Sequence, residues 1–255
     1  MPVATNDGVS CYYERAGAGD PVVFVGDVGY GAWQWGWQHA AVAGPYESVV
    51  TDVRGAGRSD APPGPYSVPD LVSDLVSVLS DAGLRSATVV GAGLGGLVGL
   101  EAARTSGRVD RLVCLGSGAS GADLDLEPLY GSPEDPETLE RSLERALSAE
   151  FVDAHPDAVR QMVAWRSDED AARAAWEAQA AAVADYSLAE PYRVTTPTLV
   201  VHGLEDAVWP ADRGRELADA LPRGEFVGVE GAGHLVHVER SKPVNDELLG
   251  FLADA

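Results

Sequence analysis

Lysine is almost missing from this chain. Lys242 is the only one, and the other 17 of its 18 basic residues are arginines. Against them stand 40 Asp and Glu, for a formal net charge of −22 over 255 residues. So little positive charge leaves no basic face for nucleic-acid phosphates or for anionic lipid. Long apolar runs are also missing. The most apolar stretch, Ala87 to Leu100, is Gly-rich and ends at Glu101, short of a bilayer crossing. The start, MPVATNDGVS, has neither the charged nor the apolar region of a signal peptide. Cysteine is scarce: Cys11 and Cys114 each fall in a strand-like run and are read as free buried thiols, not a disulfide. The five histidines are scattered, and no spacing suits a metal. The expectation is a cytoplasmic protein with no metal, no nucleic-acid partner and no membrane contact.

What is present is a globular composition, 45% hydrophobic, which excludes general disorder. High-GC coding explains arginine over lysine but not the acid excess. Such an excess repels itself at low salt and is screened at high salt, which points to a salt-adapted, halophilic protein. Stability is therefore expected to rise with KCl. Equilibrium unfolding across a KCl series checks this, and greatest stability at the lowest salt would contradict it.

From residue 21 strand-like and helix-like runs alternate. Val22–Val25, Tyr46–Val53, Ala87–Val90, Val109–Leu115, Thr198–Val201 and Glu225–Val229 read as strands. Between them, Ala32–Ala41, Ser67–Ala82, Leu94–Arg104 and Val236–Leu252 read as helices. Apolar Val68, Leu71, Val72, Leu75, Val78 and Leu79 recur at helical spacing, and Ser67 with Asp70 resembles a capping box. This order implies an α/β fold with a mostly parallel central sheet covered on both faces. Residues 120–190 break the rhythm with acid-rich and Ala-rich helical stretches, Pro136–Glu150 and Asp168–Asp185. They are read as a helical lid inserted into a core of residues 1–119 and 191–255.

Ligands of open α/β sheets bind beyond the carboxyl ends of the strands. Four such ends look loaded: Gly26–Gly29, Gly91–Gly96, Gly203–Asp206 and Gly231–His234. With them come PVVFV at 21–25 before a Gly-rich loop and Trp33, DVRGAGRSD at 52–60, VVGAGLGG at 89–96, PTLVVHGLEDAVWP at 197–210 and GAGHLVHVE at 231–239. Together these resemble the α/β-hydrolase family over nearly the whole chain. The resemblance implies that family's fold, with a nucleophile slot, an acid and a histidine in that order.

The chain departs from the family at two places. The elbow motif G-x-S-x-G reads Gly91-Ala92-Gly93-Leu94-Gly95, with Gly93 in the serine slot. The oxyanion loop reads Gly26-Asp27 where His-Gly is usual. An Asp beside a developing oxyanion opposes it. Asp206 and His234 match the positions of the triad acid and base. Without a serine, a covalent acyl-enzyme at 93 is excluded, so three uses remain. A His234–Asp206 dyad activates water for ester-, lactone- or epoxide-type hydrolysis; or it transfers protons; or the pocket binds without turnover. Asp27 is read as a further acid, base or nucleophile, or as a loop residue bonding backbone N–H groups. Backbone N–H groups at Val28 and Leu94, beside Gly26, are the expected oxyanion donors. Trp33, with Trp35 and Trp37, either stacks on a ligand or packs the loop. The expected substrate is a small, mostly apolar, neutral or cationic molecule, with no cofactor.

Two alternatives stand beside this expectation. One is a non-catalytic, ligand-binding pseudo-hydrolase. The other takes Gly91, Gly93 and Gly96 as G-x-G-x-x-G, a dinucleotide fingerprint. That motif wants an acid ending the next strand, whereas Val109–Leu115 runs into Gly116-Ser117-Gly118.

Overall fold

The computed structural model describes residues 2–254. Met1 and Ala255, the outer bounds of the core read from the sequence, lie outside the described residues. The chain opens with a hairpin that alternation from residue 21 does not reveal. Strands β1 (Val3–Asn6) and β2 (Val9–Gly17) pair antiparallel across Asp7 and Gly8. Both turn residues have positive φ, which matches strand twist in a two-residue loop.

Strand β3 (Pro21–Val25) leads through a short 3-10 turn (Ala32–Trp35) into helix α1 (Gly36–Val42) and strand β4 (Glu47–Thr51). Helix α2 (Val68–Asp81) follows. The Ser67 hydroxyl accepts the Asp70 N–H, and the Asp70 carboxylate accepts the Ser67 N–H. Next come β5 (Ala87–Ala92), α3 (Leu94–Thr105) and β6 (Val109–Leu115). Among the described residues the sheet has eight strands, closing with β7 (Thr198–Gly203) and β8 (Gly224–Val229) and ordered β1-β2-β4-β3-β5-β6-β7-β8. It is parallel from β4 onward and antiparallel at β1 and β2.

Alternate strand residues supply two cores, as a period of two requires. Val23, Val25, Val89 and Leu112 pack under α2 and α3, while Val22, Phe24, Val90 and Val113 face Trp35 and the C-terminal helices. Trp35 is wholly buried there, 5.1 Å from the Phe24 ring and 4.8 Å from that of His237.

Between β6 and β7 run four helices: α4 (Pro136–Ala146), α5 (Ala149–Ala154), α6 (Pro156–Glu169) and α7 (Arg173–Ala184). The stretch 136–150 thus divides at Leu147. Pro156 marks the break between α5 and α6 and opens α6, because the first helical position needs no N–H. After β7 comes α8 (Ala211–Ala220), and beyond β8 the run at 236–252 splits at Arg240 into α9 (Val236–Glu239) and α10 (Ser241–Ala253). Among the described residues no helix is long and apolar enough to cross a membrane.

Candidate active site

Sheet register builds the site. β3 and β5 are neighbours with Val25 opposite Gly91, at the point where the chain's strand order reverses, which is where open α/β sheets place their ligand sites. Asp27 and Gly93 each lie two residues further on and so meet. Gly93 makes the strand-to-helix turn with φ 44° and ψ −108°, a conformation that favours glycine. A Cβ at Gly93 would overlap the Asp27 carboxyl group. The carboxylate fills the place a side chain at 93 would take.

Asp27 is held on both oxygens. Its Oδ1 accepts the N–H of Val28 at 2.7 Å and of Leu94 at 2.8 Å. Its Oδ2 lies 2.7 Å from His234 Nε2. His234 Nδ1 lies 2.8 Å from Asp206 Oδ2. Asp206 Oδ1 accepts the N–H groups of Val208 and Trp209, at 2.9 and 2.8 Å. Val28 and Leu94 thus present their N–H groups at one spot, but both are spent on Asp27.

Of the other residues singled out in the sequence, Gly26 and Trp33 lie apart from this chain of bonds. Gly26 packs against the Gln34 amide. Trp33 gives its indole N–H to Asp170 at 2.8 Å and its backbone N–H to Glu169 at 2.7 Å. His202, in contrast, joins it, directing Nε2 at both Asp206 Oδ2 (3.1 Å) and the Trp209 carbonyl (2.7 Å). His237 stacks on Trp35 with neither ring nitrogen hydrogen-bonded among the described residues. Burial pulls it down to about 3, so it is neutral.

Charge follows from geometry. Burial alone would lower His234, but the charges and hydrogen bonds of Asp206 and Asp27 outweigh it and push it up to about 10. Burial alone would raise Asp206; the His234 charge and bonds from His202 and His234 instead hold it well below the usual carboxylate range. His234 is therefore an imidazolium at neutral pH, donating from both nitrogens. The folded state keeps a proton that the unfolded chain releases near pH 6.5. Its stabilisation is complete below that pH and is lost as pH rises toward 10, with a slope approaching about 1.4 kcal/mol per pH unit. Asp206 acts in the opposite sense, losing its contribution as pH falls below the unfolded carboxylate value. Urea midpoints from pH 7 to 9.5 should fall in the wild type and flatten in His234→Gln; equal slopes would contradict the ion triplet.

The cluster is enclosed, with Asp27 2% and His234 3% exposed. Helices α6 and α7 grip the loop that carries Asp27. Gln179 accepts the Gly29 N–H at 2.6 Å and donates to the Arg54 carbonyl at 2.7 Å. Gly29 sits under Trp176, where a Cβ would overlap the indole. Asp170 accepts the Gly31 N–H at 3.2 Å and pairs with buried Arg166 at 2.6 Å. The i,i+4 spacing of Arg166 and Asp170 was a visible signal for that pair. No local signal marks Gln179, which lies 150 residues from Gly29.

A model of the alpha/beta hydrolase family matches residues 22–247. The chain belongs to this family. A protein of Azorhizobium caulinodans named as a carbamate hydrolase is 27% identical, over 100% of this chain and 99% of its own length. One of Caulobacter segnis, named likewise, is 31% identical over 100% of both. The crystal structure of the enol-lactonase from Burkholderia xenovorans has the same fold, with a TM-score of 0.87 at 23% identity, covering 99% of this chain and 100% of that one. In this hydrolase-family chain the G-x-G-x-x-G reading meets an obstacle. The Leu94 N–H at the start of α3, which would face a pyrophosphate, is taken by Asp27.

Proposed function

We propose that the protein is a hydrolase of small apolar electrophiles that works without a serine. Asp27 replaces the nucleophile, His234 serves as acid and then base, and Asp206 orients His234. The observation that carries this reading is the Asp27 carboxylate, lodged where a side chain at 93 would stand, with Oδ1 on two backbone N–H groups and Oδ2 on His234. It refines the simpler idea of a dyad acting on water. An imidazolium with both nitrogens engaged has no lone pair for water, and the N–H pair is not free for a substrate's oxyanion.

The arrangement suits a strained cyclic ether such as an epoxide. Asp27 Oδ2 attacks a ring carbon, the C–O bond of the ring breaks, and the released oxygen takes the Nε2 proton of His234. The product is an ester on Asp27. Asp27 has now lost its charge, so one of the two carboxylates holding the His234 proton is gone and His234 becomes a free base. It takes a proton from water as the hydroxide attacks the ester Cγ. The negative charge of the tetrahedral intermediate falls on Oδ1, facing the N–H groups of Val28 and Leu94. Collapse releases the alkoxide, which takes the carboxyl proton and leaves as a diol, restoring the carboxylate and the imidazolium. Access requires the helices of 120–190 to part from the core as a lid.

A second reading, a binding protein whose N–H pair is plugged by its own carboxylate, is favoured by the enclosure of the cluster. Assays of wild type on small epoxides and p-nitrophenyl esters separate the two. Epoxide turnover lost in His234→Gln supports the enzyme. No turnover by wild type, with esterase activity in Gly93→Ser/Asp27→Gly, supports the plugged scaffold. Gly93→Ser alone is a poor probe, since its Cβ would overlap Asp27.

A further inference from the structure

Away from the enclosed cluster, a cavity of about 400 Å³ opens between the chain following β3 and helix α6, lined by Trp33, Gly36, Trp37, Trp165 and Glu169. Its volume is that of a small-molecule site, and neither Asp27, His234 nor Asp206 lines it. The Trp37 and Trp165 rings stand 6.2 Å apart at 76°, so they form two walls of a corner. Trp165 is 37% exposed, one of the few large apolar side chains left in water. Beside these indoles stands one carboxylate. Glu169 Oε2 accepts the Trp33 N–H at 2.7 Å, and no hydrogen bond engages Oε1 among the described residues.

Each ligand class meets this cavity differently. A neutral apolar ligand would cover the carboxylate and leave its charge without compensation. An anion would be repelled by Glu169 and by a chain of net charge −22. A small inorganic cation keeps its water and gains little from indole faces. An alkylated ammonium ion satisfies both parts, since its methyl groups pack on indole faces that attract positive charge while Glu169 neutralises it. Burial, with repulsion from Asp52 and Asp170 set against attraction by the Trp33 N–H and Arg58, raises Glu169 above the ordinary glutamate value, and a bound cation would relieve this.

We infer that the Trp33–Trp37–Trp165–Glu169 cavity is a binding site for small quaternary or alkylated ammonium ions, separate from the Asp27 cluster. The negative field of the whole chain concentrates such cations near its surface. Because the site joins α1 to α6, its occupant ties the loop-bearing side of the core to the helices above it.

The test is calorimetric titration of the whole protein at fixed ionic strength with choline and with 3,3-dimethylbutan-1-ol, its uncharged counterpart of the same shape. Choline should saturate in the millimolar range or tighter, and the alcohol should bind about tenfold more weakly or not at all. Trp165→Ala removes one wall from an exposed position. Glu169→Gln removes the charge but keeps an oxygen for the Trp33 N–H. Each should weaken choline by about five- to tenfold, and thermal melting in buffer alone confirms that the variants are folded. No saturation by choline, equal binding of the alcohol, or unchanged affinity in both folded variants would overturn the assignment.

Discussion

Asp27→Asn should abolish turnover while leaving a folded protein. The amide keeps an oxygen on the N–H groups of Val28 and Leu94, which Asp27 Oδ1 now accepts at 2.7 and 2.8 Å. The backbone of the loop therefore keeps its anchor. The amide nitrogen would face His234 Nε2, which can accept in the neutral tautomer. What is lost is the anionic oxygen that attacks. Loss of the nucleophile in serine enzymes of comparable design costs on the order of 10^6-fold in kcat, and a similar loss is expected here. A second readout is independent of activity. With one flanking charge removed, the His234 pKa should fall by about 1–3 units, observable by NMR of the imidazole ring. Activity within tenfold of wild type would remove Asp27 from the chemistry; an unmoved His234 pKa would remove it from the ion triplet.

Arg166→Met should be the most destabilising single change in the helical segment. The guanidinium pairs with Asp170 at 2.6 Å, donates to the Leu139 carbonyl at 3.0 Å and to the Ser142 hydroxyl at 2.6 Å, and lies 4.7 Å over the Tyr30 ring. Both members of the pair are almost fully buried, at 1% and 2% of side-chain surface. Removing the arginine leaves a carboxylate without its counter-charge in the interior, which costs about 3–5 kcal/mol. Asp170→Asn added to Arg166→Met should recover part of the loss, because the stranded charge is then gone. Urea unfolding of the two singles and the double checks this. Strictly additive losses would mean that the pair acts as packing alone. Asp170 also holds the N–H of Gly31 and the indole of Trp33, so the same variants should loosen the loop that presents Asp27.

The fold was largely legible because a parallel sheet writes itself as buried apolar runs, each ending in glycine-rich turns. The hairpin at β1 and β2 was not. Cys11 was read in a strand-like run, and β2 with its buried Cys11, Tyr12 and Tyr13 bears that out, but exposed Glu14 and Arg15 break the pattern and β1 is only four residues long, so the pairing itself did not show. In the site, the residues at strand ends could be named from order and spacing, and so could the N–H groups of Val28 and Leu94. What the sequence concealed was occupancy. Asp27 looked like a charge set against an oxyanion hole, yet it sits on those very donors. That follows from two offsets, Val25 to Asp27 and Gly91 to Gly93, which only the register between β3 and β5 aligns. The bond of His202 to Asp206 depends on the turn at 204–206 that follows β7. The i,i+4 spacing marks Arg166 and Asp170 as a pair, but the reach of Gln179 and Asp170 to the loop, from more than 130 residues away, is beyond any local pattern.

The most direct test of Asp27 as nucleophile is the intact mass of His234→Gln after incubation with styrene oxide and a panel of small aliphatic epoxides. With the base for the second step removed, the ester should persist; the same change removes the acid of the first step, so the alkoxide takes its proton from water and the ester builds up over a long incubation. The account predicts a mass increase of one epoxide per chain, mapped by peptide digestion to Asp27 and absent from Asp27→Asn/His234→Gln. Because His234→Gln also lacks the acid of the first step, the contradicting result is read on wild type: turnover of the epoxide in 18O-labelled water with no 18O entering the Asp27 carboxylate would return the chemistry to direct attack by water.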